Sequence, residues 1–222
     1  MSQEKEALTI DVVSDVVCPW CYLGKKRLAR ALANETGEPI PIRWRPYQLD
    51  PSIPPGGLDR QTYMRNKFGN DGRIEAAHDR LRALGAEEGL SFAFDKIQRA
   101  PNTLDAHRLI RWAFLTGAQD RVVDRLFNLY FEQGRDIGDR RLLVEVAREC
   151  GMDDELVAKL LEDGSDEKEV REEIAQAQSL GVTGVPFFIF ASRFGVPGAQ
   201  SVDVLSTAID RARKSLAGIE TA

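Results

Sequence analysis

The chain has 222 residues, 43% of them apolar, and 18 glycines, enough for one large domain, or one domain carrying an insertion, around a sizeable core. With 30 basic against 35 acidic residues its formal charge is −5, which argues against a general nucleic-acid binder. Its longest apolar runs, such as 185–191, fall far short of the roughly 20 residues of a membrane span, and the polar start around Glu4, Lys5 and Glu6 lacks the pattern of a secretory signal; the expectation is a cytoplasmic protein with neither nucleic-acid nor membrane partners.

Leu8, Ile10 and Val12 alternate with Thr9, Asp11 and Val13, which predicts a strand broken at Ser14-Asp15. A helix is expected from Cys18-Pro19-Trp20-Cys21, because proline is well tolerated at a first helical position. Its apolar side is Leu23, Leu28, Ala31 and Leu32, with Gly37 beyond its end. Ile40, Ile42 and Trp44 read as a second strand, which Pro41 and Pro46 confine to an edge or to short pairing. The Pro/Gly-rich stretch 50–57 is a loop.

From about 58 to 180 the pattern is helical. Ala106, Leu109, Ile110, Ala113 and Phe114 form one stripe. Asp139 is placed to cap a helix carrying Leu143, Val146, Ala147 and Cys150 and closed by Gly151. Ser165 or Asp166 is placed to cap the next, with Val170, Ile174 and Ala177 inward. Strand character returns at Val185 and Phe187–Phe190, with Phe194–Val196 pairing back across Ser192-Arg193. A final helix uses Val204, Leu205, Ala208, Ile209 and Ala212. The order is βαβ, a helical block, then ββα.

The chemistry concentrates at Cys18 and Cys21. Three cysteines are too few for a disulfide scaffold, whereas a close pair in a reducing compartment points to metal binding or redox catalysis. A sulfur at a helix start faces unpaired backbone N–H groups and the positive end of the helix dipole, both favouring the reactive thiolate. The second sulfur, one turn on, is placed to attack a mixed disulfide, so Cys18 reads as nucleophile and Cys21 as resolving thiol. A zinc site needs further ligands, and Cys150, His78 and His107 are scattered at spacings that fit no zinc motif; no metal is expected. Pro186, just before a buried strand, is the second half of a thioredoxin-like signature. In a thioredoxin fold a cis-proline here faces the cysteines and leaves the backbone of Val185 free to pair with an extended substrate, the alternative being a trans-proline that merely starts the strand.

Cys18-Pro19-Trp20-Cys21-Tyr22-Leu23-Gly24, followed by a helical block and then Gly181-Val182-Thr183-Gly184-Val185-Pro186-Phe187-Phe188, resembles the FrnE-like branch of the DsbA family. Pro101-Asn102-Thr103, Ala106-His107-Arg108 and Gly198-Ala199-Gln200 are similar to that branch as well. The resemblance covers nearly the whole chain. It implies an α/β thioredoxin fold (1–50 and 181–222) with a large helical domain (51–180) inserted between the second strand and the cis-proline strand. It also implies thiol–disulfide oxidoreductase activity on protein or small-molecule disulfides. No cofactor is expected beyond the redox-active disulfide, with glutathione a candidate co-substrate. The same superfamily holds 2-hydroxychromene-2-carboxylate isomerases and kappa-class glutathione transferases, which typically carry serine where this chain has Cys18. The Pro19-Trp20 dipeptide departs from secreted DsbA proteins, which usually have a histidine there.

The resemblance further places Asn102, Thr103 and His107 near the domain junction as substrate contacts, although Asn102 equally suits a helix N-cap and His107 a hydrogen-bonded helix position. Trp20 is expected at the rim of the site as an apolar docking surface, and Cys150 in the core. Two further functions compete with the oxidoreductase. One is a glutathione-dependent isomerase or transferase acting on a small aromatic compound under the helical roof. The other is a non-enzymatic module that binds polypeptide segments around Trp20.

Overall fold

The computed structural model describes residues 7–36, 38–69 and 72–218. Gly37 and the polar start at Glu4, Lys5 and Glu6 lie outside them. The fold is built on strand β1 (Ile10–Ser14), which is buried along its whole length. It pairs in parallel with β2 (Ile42–Pro46) and antiparallel with β5 (Phe187–Phe190), and β6 (Phe194–Pro197) pairs antiparallel with β5. The sheet order is therefore β2-β1-β5-β6. Strand alternation sends Ile10, Val12, Phe188 and Phe190 into the main core. Val13 turns to the other face, against Ala177, Val182 and the half-buried Phe187 and Ile189. Ser14, expected to end the strand, is its last residue.

As the flanking prolines predict, β2 is an edge strand. Its free backbone is met by Gln119, whose Oε1 accepts from Trp44 N–H at 2.8 Å while its Nε2 donates to Trp44 O at 3.2 Å. A side-chain amide thus stands in for the missing neighbour strand.

Helix α1 (Pro19–Ala33) follows β1, and α9 (Val202–Leu216) closes the chain against it. Between β2 and β5 the chain runs through α2 (Arg60–Phe68), α3 (Arg73–Glu87), α4 (Leu104–Leu115), α5 (Gln119–Phe131), α6 (Arg140–Glu149), α7 (Asp154–Glu162) and α8 (Glu167–Ser179). This is the thioredoxin-type α/β arrangement with a helical insertion. The helical reading of 58–180 missed a two-strand ribbon in which β3 (Leu58–Asp59) pairs with β4 (Arg99–Ala100). Strands of two residues carry no periodicity to detect.

Of the local expectations, the Asp139 cap holds and others are corrected. Phe114 and Val204, assigned to buried stripes, are 48% and 43% exposed, and Arg43 covers the Phe114 ring instead. Asp139 caps α6 through its side chain, accepting from Arg141 N–H. Asp166 begins α8 at φ 60° without capping it, because its carboxylate accepts from Trp112 Nε1 at 2.8 Å. The largest fully buried side chain is the charged Arg108, which donates to the carbonyls of Leu160, Leu161 and Ser165 and to Asp105. It joins α4 to the end of α7 and the turn beyond.

Candidate active site

Helix α1 is held on three sides. Gly24 faces β5, where an added Cβ would stand 3.1 Å from Phe188 and 3.1 Å from Pro186, so only glycine lets the helix approach this strand without displacing those side chains. Arg27 donates to Ala199 O at 2.8 Å and, at 3.1 Å, to Glu88, the C-cap of α3. Lys25, although buried, pairs with Asp120 and Asp124 of α5. Tyr22 stacks on Phe127 with ring centroids 5.0 Å apart and donates its hydroxyl to Glu132. The start of α1 is therefore fixed relative to both the sheet and the inserted helices.

Cys18 is the N-cap of that helix and Pro19 its first residue. Cys18 and Cys21 are free thiols, 4% and 0% exposed. The Val185–Pro186 peptide bond is cis, and the Cys18 thiol donates to Val185 O at 3.6 Å. Burial pushes the Cys21 thiol well above its ordinary pKa, reinforced by the hydrogen bond and charge of Cys18. Ser14 and the Asp15 backbone pull the other way. Ser14 Oγ is buried and meets no partner at hydrogen-bonding geometry, so its pull on Cys21 is that of a nearby dipole.

A cavity of about 620 Å³ opens beside Cys18. Pro19, Trp20, Gly184 and Val185 form one wall, and Met64, Ile74, Ala77 and Leu81 of α2 and α3 roof it. Cys18 therefore faces this cavity rather than the outer surface, which is why the expected attacking thiol is nearly as covered as Cys21. Trp20 is half-buried, with the Arg80 guanidinium 5.8 Å from its ring centroid.

Several polar side chains on the cavity wall escaped sequence reasoning or were weighed there only for zinc, among them Asp15, Arg60, His78 and Tyr130. Asp15 is 1% exposed; its carboxylate accepts from Leu49 N–H at 2.8 Å and lies 3.3 Å from His107 Nε2. Burial pushes the Tyr130 phenol up to about 12; the Arg60 charge and hydrogen bond pull it down, and the charges of Asp15 and Asp136 push it further up. Burial and the neighbouring Arg60 and Arg82 push His78 down, and its ring stacks on Phe94 at 4.0 Å. Asp15 was legible in principle, as an acid directly before the cysteine motif. Arg60 and Tyr130 come from distant helices and carried no local signal.

Asn102 and His107, expected to touch substrate, are not on the wall of this cavity. Asn102 is committed to the scaffold: its Oδ1 accepts from Leu104 N–H at 2.9 Å and from Gln48 Nε2 at 3.1 Å. Its Nδ2 donates to Ile53 O. Thr103, placed at the junction with them, is the N-cap of α4 and does line the cavity. His107 is 2% exposed and stands behind Asp15. Cys150, at the C-terminal end of α6, is 6% exposed, and burial raises its pKa. Among the described residues, no group of three or more His, Cys, Asp or Glu side chains could hold a metal ion, and no helix is long and apolar enough to cross a membrane.

The fold is similar to solved structures along nearly the full chain. The probable DsbA oxidoreductase SCO1869 of Streptomyces coelicolor is 32% identical, with a TM-score of 0.85 over 97% of this chain and 92% of that one. A 2-hydroxychromene-2-carboxylate isomerase shares the fold at 16% identity and a TM-score of 0.69, covering 96% of this chain and 100% of the other. The cytosolic disulfide reductase DsbM of Pseudomonas aeruginosa, solved with GSH, shares it at 22% identity and a TM-score of 0.60, covering 95% and 98%. The DSBA-like thioredoxin domain model matches residues 9–210, and the chain belongs to that family.

Proposed function

We propose that the protein is a thiol–disulfide oxidoreductase in which Cys18 is the attacking thiol and Cys21 the resolving one. The observation that carries this reading is the placement of Cys18: N-cap of α1, facing the cavity and bonded to Val185 O across the cis-proline turn. The Cys18 thiolate attacks one sulfur of a substrate disulfide. The substrate S–S bond breaks, one thiolate leaves and takes up a proton, and a mixed disulfide forms at Cys18. Cys21, losing its proton, then attacks Cys18 Sγ, releasing the second substrate thiol and leaving a Cys18–Cys21 disulfide. Two electrons pass from protein to substrate. An incoming substrate replaces the Cys18 thiol at Val185 O and pairs with that backbone.

Glutathione is the proposed electron donor for the return step, supported by the similarity to a relative solved with GSH. A reducing compartment fits three free thiols and that relative's cytosolic description. The roofed cavity favours small-molecule disulfides over folded proteins as substrates. The likeness to an isomerase and that same roof keep a glutathione-dependent isomerase as the second reading. The two are separated by treating reduced protein with glutathione disulfide and titrating thiols after acid quench. The oxidoreductase loses Cys18 and Cys21 and keeps Cys150; an isomerase retains all three thiols.

A further inference from the structure

The active-site cavity holds a cation that, among the described residues, forms no ion pair. Arg60, at the start of α2, points its guanidinium at Tyr130, where Nη1 donates to the phenol oxygen at 3.3 Å. Among the described residues that is its hydrogen bond, and it forms no ion pair. The other charges on this wall have partners. Lys67 and Asp50 meet each other and Tyr63, the Asp15 carboxylate is engaged by His107 and Leu49 N–H, and Arg73, the second arginine on the wall, is partnered as well. A guanidinium carries five N–H donors in a fixed planar fork suited to carboxylate, so most of this one is available to a ligand. The apolar part of the cavity wall includes Met64, Ile74, Leu81, Phe94 and Phe131. A volume of about 620 Å³ falls in the range of small-molecule sites.

We propose that the cavity takes low-molecular-weight disulfides and thiols with an apolar, preferably aromatic, body and a carboxylate, and that Arg60 holds the carboxylate while the sulfur reaches Cys18. This assignment of substrate class rests on the oxidoreductase reading for its sulfur chemistry, but the carboxylate site stands on its own geometry. Tyr130 is a positioning residue: it orients the guanidinium, and with its pKa pushed up it stays an uncharged phenol that does not compete with the ligand for Arg60.

The test has a binding arm that needs no redox step. Calorimetric titration of the full chain with 4-(benzylsulfanyl)benzoate and with its primary amide compares one body with and without the charge. The carboxylate should bind at least about tenfold more tightly, the usual weight of a charge-assisted hydrogen bond. Arg60→Gln should erase that preference while leaving amide affinity unchanged, and Arg60→Lys should restore part of it. Equal affinity for the two ligands in the wild type, or a preference that survives Arg60→Gln, overturns the proposal, as does an equal loss for both ligands. In the redox arm, reduced protein reacts with 5,5′-dithiobis(2-nitrobenzoate) or with the uncharged 4,4′-dithiodipyridine. Arg60→Gln should slow the first at least about tenfold and spare the second. If neither disulfide oxidises the protein while the binding preference holds, the oxidoreductase reading falls and the carboxylate site stands.

Discussion

The Cys18 thiol and the Val185 carbonyl, 167 residues apart in sequence, meet at 3.6 Å. That contact joins the two halves of the sheet at the cavity. Cys18 is carried there by the end of β1 and the start of α1, and Val185 by the turn into β5. Glycine at position 24 lets the two come together.

The two motif cysteines should differ sharply in reactivity. Cys21 is fully covered and its thiol is held protonated by burial, whereas Cys18 lines a cavity that a small reagent can enter. Brief treatment of reduced protein with iodoacetamide near neutral pH, followed by peptide mapping, should label Cys18 first. Faster labelling of Cys21 or Cys150 would reverse the assignment.

Cys21 should also leave a mark on stability. A thiol whose folded pKa is raised stabilises the fold fully below its unfolded value of about 8.5. That contribution is lost as pH rises from there toward the folded value. Reduced wild-type protein should therefore lose Tm progressively above about pH 8.5, and Cys21→Ala should flatten the decline. Cys150 is raised in the same direction, so Cys150→Ala serves as the parallel comparison. An unchanged slope in Cys21→Ala would contradict the burial argument.

Cys150 should matter for packing alone. It lies at the end of α6 in the main core, away from the cavity. Cys150→Ala is expected to cost about 1 kcal/mol in urea denaturation and to leave disulfide exchange at wild-type rate. A folded variant that lost exchange would make it a third redox thiol.

Arg108→Ala should be among the most damaging changes outside the site. It would leave the Asp105 carboxylate and the carbonyls of Leu160 and Ser165 without their buried partner, a loss of about 3–5 kcal/mol. Urea unfolding gives the value; a change below about 1 kcal/mol would mean solvent reaches these groups.

The order of elements was legible because each long element has its own pattern. The alternation at Ile10 and Val12, the stripes of α4, α6 and α9, and the cysteine motif at the start of α1 are local signals. Phe114 and Val204 fit their stripes equally well and are exposed, since periodicity identifies a helix face without fixing the width of the neighbour that covers it. The Gln119 bridge to β2, the ribbon of β3 and β4, and the convergence of Arg60, His78 and Tyr130 were not legible, because each joins residues distant in sequence by tertiary packing. Asn102 and His107 show the opposite limit: the resemblance placed them as contacts, and folding engages them in the scaffold, as the residues read by themselves also allowed.

The central claim is the division of labour between Cys18 and Cys21, and trapping the intermediate tests it most directly. Cys21→Ser, reduced and then mixed with glutathione disulfide, should accumulate one glutathione per chain, located at Cys18 by mass spectrometry of the intact protein and its peptides. Under the same conditions wild type should pass through to the internal disulfide, and Cys18→Ser should take up none at Cys21. Stable glutathione at Cys21 in Cys18→Ser, with none at Cys18 in Cys21→Ser, would contradict the account.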